Sequence, residues 1–289
     1  MIITLPKLAA EALGSILASD MQRAYGSSPA RLTELIPMAA RIALDCIGTS
    51  DALYHNVEHT MLVTLVARDI VYGRALLVPT TPEDDAHLFV ACLMHDIGYV
   101  RGILKGDDQS GYVVDDSGQK VNLPRGSSDA ALKPYHVDRS KLFVLDRVKE
   151  LDAARIARAI EATRYPPAAL PDEEDIDEEG SLVRAADFIG QLGDPNYLRK
   201  ANALYYEFEE TGMNRQRGYN SPADVIEQYP QFYWSTVSPR VQTATRYLNV
   251  TASGRQWIAN LYSNVFRAER HLALSGLPPR RPRTTGQHK

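Results

Sequence analysis

Tyr54-His55-Asn56-Val57-Glu58-His59-Thr60 leads into a stretch reaching to about Tyr72, in which Val57, Met61, Val63, Leu65 and Val66 form a broad apolar stripe and Gly73 stands near the end. That spacing is helical, and it sets two imidazoles four residues apart on one helix face. Further along, Met94-His95-Asp96 closes a second apolar stretch. Asp187 lies inside a third, Leu182-Val183-Arg184-Ala185-Ala186-Asp187-Phe188-Ile189. Helices of a bundle can aim imidazoles and carboxylates from distant parts of a chain at one interior point, which is what a divalent ion requires. The expected ligands are His59, His95, Asp96 and Asp187, and the expected fold is all-α.

The spacing also suggests a division of labour. An isolated His59 would be an ordinary surface or core histidine, but three other donors accompany it. His59, deeper in its helix, would ligate the ion, whereas His55, at the helix start, could give a proton to a departing oxygen. Neighbours on a helix point about 100° apart, so His95 and Asp96 reach one site only where the helix ends against it, which suits a stop at Gly98. A carboxylate there can bridge two ions. Asp187 is a carboxylate in an apolar stripe and would be costly to bury alone. Its partner is a metal or, in the alternative, a core salt bridge to Arg184 or another basic side chain.

The chain has 289 residues, 44% hydrophobic and 24% charged, enough to bury a substantial core. A net charge of -4 argues against general electrostatic binding of a nucleic acid polymer and suits a small phosphorylated substrate. Cys46 and Cys92 stand in apolar patterns and read as buried free thiols, hence a cytoplasmic setting. No leader peptide and no membrane span are expected.

Helical periodicity predicts elements over 7–24, 30–48, 56–72, 82–96, 128–149, 152–163, 181–192, 195–212, 222–251 (irregular at Pro230 and Pro239) and 254–274. Ser28-Pro29 and Pro166-Pro167 act as breaks. Residues 99–128 carry Gly102, Gly106, Gly111, Gly118 and Gly126 and read as an irregular loop beside the ligands, with a small β-hairpin around Asp115-Asp116-Ser117-Gly118-Gln119. A connection that long suggests a lid or a substrate-facing wall. The acidic run Asp172–Glu179 reads as a solvated loop, and the Pro- and Arg-rich tail 276–289 as disordered. In outline, 1–49 is a helical layer, 50–215 the catalytic unit, and 216–275 further helices of the same domain.

The order His, then His-Asp, then Asp resembles the HD-domain metal-dependent phosphohydrolases, and Tyr54-His55-Asn56-Val57-Glu58-His59-Thr60 looks like the signature of their cyclic-nucleotide phosphodiesterase branch. The resemblance covers roughly residues 50–215. It implies an HD-domain helical bundle in which His59, His95, Asp96 and Asp187 hold one or two divalent ions, with manganese, iron, magnesium and zinc left undistinguished. It also implies that His55 is the proton donor and Asp96 a member of the catalytic set. His136 looks like an additional histidine of some branches, serving a second metal or the substrate phosphate. Thr163 stands where branches with richer metal sites place another histidine, which lowers the expectation of redox di-iron chemistry.

Arg101, Lys105, Arg125 and Arg139 are candidate phosphate contacts by proximity to the loop. Tyr99, Tyr112, Tyr165, Phe188 and Tyr197 could stack on a base. Asp194, before a proline, reads as a helix cap, and His87 as structural or exposed. The expected activity is hydrolysis of a cyclic-nucleotide-type phosphodiester by metal-activated water. The alternatives are a nucleotidase or phosphomonoesterase of the same fold, a non-catalytic ligand-sensing module, and metal-dependent oxidation. A homodimer is left open.

Overall fold

A computed structural model describes residues 3–27, 30–165 and 177–275. The breaks at Ser28-Pro29 and Pro166-Pro167, most of the acidic run and the tail 276–289 lie outside the described residues. The fold is all-α. Its helices are α1 (Leu5–Tyr25), α2 (Ala30–Ile47), α3 (Val57–Ala75), α4 (Pro82–Met94), α5 (His136–Arg147), α6 (Ala153–Glu161), α7 (Glu178–Leu192), α8 (Tyr197–Glu210), α9 (Met213–Arg217), α10 (Pro222–Phe232), α11 (Ser238–Arg240), α12 (Gln242–Leu248) and α13 (Ala252–Ser275). No helix among the described residues is long and apolar enough to cross a membrane. Cys92 is buried and Cys46 half-buried, both as free thiols.

Helix α4 is the central element. Thr81 and Asp84 form a reciprocal capping box at its start, Pro82 needs no hydrogen-bond acceptor there, and every residue from Asp85 to Met94 is buried. Helix α2 packs on one side of it, and α3, α6 and α7 pack against it as well. Asn56 caps α3, its side-chain oxygen accepting from the amides of Glu58 and His59, so the helix starts between the two histidines. A Cβ on Gly190 would come within 2.8 Å of the Val63 backbone. The crossing of α3 and α7 therefore needs glycine there, one turn from both His59 and Asp187.

Helix α4 ends at Met94. Asp96 takes up φ -106°, ψ 4°, and a 3-10 turn follows over Ile97–Tyr99, in the sparsely populated bridge region where many site residues sit. That turn presses onto the start of α5 so closely that a Cβ on Gly98 would lie 1.9 Å from the His136 carbonyl oxygen.

The segment after the turn does contain the expected hairpin, with β1 (Tyr112–Val113) antiparallel to β2 (Lys120–Val121). It is anchored from behind. Arg139 is fully buried and its guanidinium donates to the carbonyls of Gly98 (2.7 Å), Val100 (2.8 Å) and Val113 (2.5 Å), and to both oxygens of Asp107. This corrects the expectation of a phosphate contact, because its donors are already engaged in holding the loop to the core.

Other expectations shift locally. The helix expected from residue 128 begins at His136, because Ser128 caps a separate 3-10 turn over Asp129–Leu132. Asp177, Glu178 and Glu179, expected in a solvated loop, instead open α7. Asp177 caps it through the Gly180 amide, and Glu179 pairs with Arg155. Carboxylates suit a helix N-terminus. The stretch 222–251 breaks just beyond Pro230, where α10 passes into a π-helical turn over Tyr233–Val237. His87 is structural: its Nδ1 faces the Glu83 carbonyl at 2.6 Å and its Nε2 accepts from the Asp152 amide that starts α6.

Asp85 is a buried carboxylate with one oxygen on the Tyr25 hydroxyl (2.6 Å) and the other without a hydrogen-bond partner. Burial pushes it up to about 6, against the smaller opposing effect of the Tyr25 hydroxyl. A raised carboxyl stabilises the fold fully below its unfolded value near 4, and that contribution is lost as pH rises through about 6. Asp85→Asn is therefore expected to stabilise the protein by up to about 3 kcal/mol at pH 8 and by nothing at pH 4. Urea unfolding of both proteins at the two pH values checks this, and a gain independent of pH contradicts it.

Candidate metal centre

Three helices deliver the donors. His59 comes from the first turn of α3, His95 and Asp96 from the end of α4, and Asp187 from the middle of α7. His59 Nε2 and His95 Nε2 each lie 3.2 Å from Asp96 Oδ2, and 3.3 and 3.7 Å from Asp187 Oδ1. His59, His95 and Asp96 form a buried group able to hold a metal ion. The Asp187 side chain is 21% exposed, which marks the open side of the group.

These atoms are close but do not hydrogen-bond. His59 Nε2, His95 Nε2 and Asp96 Oδ2 are buried without a hydrogen-bond partner, an expensive condition for polar atoms. Lone pairs that crowd together yet are out of line with one another are satisfied together by a cation. Two imidazoles and two carboxylates fit a divalent first-row ion or magnesium.

Neighbouring acceptors orient the rings. His95 Nδ1 faces the Cys92 carbonyl at 2.7 Å and His136 Nδ1 the Lys133 carbonyl at 2.6 Å, which puts the proton on Nδ1 and turns Nε2 inward. His136 Nε2 lies 3.6 Å from Asp96 Oδ1, the oxygen facing away from the His59 and His95 pair. Burial, the largest effect on its ring, pushes His136 down to about 4, so it is neutral at physiological pH.

His55 is held by a residue that sequence reasoning missed. Glu207 of α8 is buried, with Oε2 2.5 Å from His55 Nδ1 and Oε1 accepting from the amides of Tyr54 and His55. Burial alone would raise its carboxyl, but His55 and the two amides hold it below the usual range. A signal was present: Glu207 extends the apolar stripe of Tyr197, Ala201 and Leu204, as Asp187 does its own. The Tyr99 ring stacks between His55 and His136, with centroids 4.6 and 4.4 Å away.

A cavity opens over the group. Asp96, Asp187, His55 and His136 face it, whereas His59 and His95 lie beneath them. Tyr99, Tyr165, Phe188 and Tyr197 contribute to its walls and Tyr112 does not. Thr163 lines it too, with its hydroxyl donating to the Ile160 carbonyl.

None of the basic residues expected at the site faces this cavity. Arg101 pairs with Asp129 and Asp51, Lys105 is exposed beside Asp146, Arg125 is exposed, and Arg139 is the buried clamp. Their nearness along the chain to the ligands misled, because the loop folds away from the opening. The cations that do line it, Lys133 and Arg217, carried no pattern that set them apart. Asp194, expected as a helix cap, lies two residues before α8, whose N-cap is Asn196; its carboxylate accepts from the Asn196 amide and pairs with Lys200.

A family model described as Npun_R2479-like matches residues 4–271, nearly the whole chain. The chain belongs to the Npun_R2479-like family. Comparison with curated proteins and with solved structures finds no match.

The charges of the group are mutually dependent. Burial lowers His59 and His95, but Asp96 and Asp187 outweigh it and raise both, His95 well above its ordinary value. Burial opposes ionisation of Asp96 and Asp187, yet the imidazoles hold both well below the carboxylate range. The neighbouring carboxylates make both imidazoles hold a proton more firmly than an ordinary histidine does, and a cation competes with that proton for the same nitrogen. Metal uptake is thus expected to release protons at pH 7 and to weaken as pH falls, which calorimetry in buffers of differing ionisation enthalpy checks. His59→Ala and Asp187→Ala are expected to lower metal affinity by about 100-fold or more; elemental analysis showing both as loaded as the parent contradicts the site.

Proposed function

We propose that the chain is a metal-dependent phosphohydrolase of the HD-domain kind, acting on a phosphoester of a nucleotide or similar small metabolite, with a cyclic-nucleotide-type diester as the preferred substrate. The observation that carries this reading is the position of His55. Fixed through Nδ1 by Glu207, its ring stands beside His59, with centroids 5.5 Å apart, at the floor of the same cavity as Asp96 and Asp187. A proton-transfer group next to a metal-binding group is the pairing that ester hydrolysis needs.

When bound, a divalent cation acidifies a water to near-neutral pKa and neutralises charge on the phosphate oxygens. His59 and His95 supply neutral imidazole donors from below. Asp96 would hold a cation with that pair through one oxygen, and its other oxygen faces His136. Neutral His136 presents a lone pair for a second cation or a substrate hydrogen bond. Asp187, on the open side, completes the group.

His55 acts on the leaving oxygen. With Nδ1–H committed to Glu207, proton exchange is confined to Nε2, and Tyr99 keeps the ring from rotating away. The aromatic walls limit competing water. The aromatic side chains of the walls, Tyr99, Tyr165, Phe188 and Tyr197 among them, suit a ligand with a planar ring.

The test is hydrolysis by the full chain, stripped of metal and resupplied with manganese. Metal-dependent turnover of a phosphodiester is expected, and no turnover with manganese, iron, magnesium or zinc removes the reading. His55→Ala should cost about 100-fold or more on substrates with alkoxide leaving groups and far less on a p-nitrophenyl ester, whose leaving group needs no proton. Equal losses on both would remove His55 from the acid role.

A further inference from the structure

Beyond the metal group the cavity is lined by two cationic side chains, Lys133 and Arg217, that make no ion pair among the described residues. Arg217 ends α9, a five-residue helix set between Gly212 and Gly218, both at φ +70°. Its guanidinium donates to the Tyr165 hydroxyl, stands 5.2 Å from that ring's centroid, and has the Tyr219 hydroxyl as a second partner. Both partners are neutral. Lys133 holds its ammonium 5.4 Å from the Phe208 ring centroid and makes no ion pair or hydrogen bond through Nζ among the described residues.

The nearby carboxylates are already committed. Lys133 feels Glu207, Asp96 and Asp187, but Glu207 serves His55, and the two aspartates serve the histidines or a metal. Burial draws Lys133 below its ordinary value, as expected of an ammonium short of counter-charge. Aromatic rings attract cations without neutralising them. Two basic side chains in a partly desolvated cavity favour an anion beside them.

We propose that Lys133 and Arg217 form a second anion-binding subsite in this cavity, taking a phosphate carried on a ring-bearing molecule whose planar part lies along the aromatic walls. Phe208, Tyr219 and Phe232 supply those walls, and the Gln228 amide offers a donor and an acceptor for the edge of a heterocycle. The subsite stands independently of catalysis. Resting on the phosphohydrolase reading, it narrows the substrate class to nucleotides with an anionic group besides the phosphoester handled at the metal group.

Binding without metal tests it. Full-length protein in excess EDTA is titrated by calorimetry with the four common ribonucleoside 5′-monophosphates and with their nucleosides. At least one monophosphate is expected to bind ten-fold or more tighter than its nucleoside, and inorganic phosphate should compete with it. In Lys133→Met and in Arg217→Gln the advantage should fall to about two-fold or less, with Arg217→Lys retaining part of it. Monophosphates that bind no tighter than their nucleosides, or an advantage unchanged in both charge-removing variants, overturn the subsite. Should a variant fail to fold, phosphate competition in the parent protein still decides. No turnover occurs in EDTA, so failure here leaves the hydrolysis reading to its own manganese assay, and the reverse holds equally.

Discussion

Two imidazole nitrogens and two carboxylates meet in the interior of this fold, and they cannot satisfy one another by hydrogen bonds. Each of them would be costly to desolvate singly. Only a shared positive charge, borne by protons or by a cation, makes the arrangement tolerable, and α3, α4 and α7 are packed to bring the four groups within its reach. Gly190 permits the contact between α3 and α7, and Gly98 the contact between the α4 turn and α5. Apolar packing supplies the strength of the bundle; the polar group dictates where its helices must start, stop and cross.

Around this centre, orientation comes from the groups next to the donors. The carbonyl oxygens of Cys92 and Lys133 fix which nitrogens of His95 and His136 point inward. Glu207 joins the start of α3 to α8 across more than 150 residues of chain, tying the orientation of one imidazole to closure of the whole bundle. Tyr99 sits between two histidines, so neither ring can tilt without moving the other.

Much of this was legible because it was local. Helical periodicity, the Asn56 cap, the Thr81 and Pro82 start and the glycines of the hairpin are written within a few residues of where they act. The group of donors was legible because a carboxylate on an apolar stripe, as at Asp187, needs a partner beside it. Glu207 left the same trace and was overlooked. Arg139 left none, since most of its partners are backbone carbonyls of an irregular segment. Lys133 and Arg217 were equally silent, because their common cavity arises only when α7, α8 and α10 close around residues far apart in sequence. The loop cations were chosen by distance along the chain, which says little once a segment is folded back.

The Arg139 clamp has a geometric corollary. With the segment from Val100 to Val113 bolted to the core, that flank of the cavity is stiff and contributes no residue to its lining between Tyr99 and Lys133. The opposite flank includes Arg217 at the end of α9, a five-residue helix between two left-handed glycines. The two flanks are thus tied down by different means: one by the backbone contacts of a single buried guanidinium, the other by the buried Asn214 amide, which binds α9 to the Tyr205 carbonyl and Glu209 of α8.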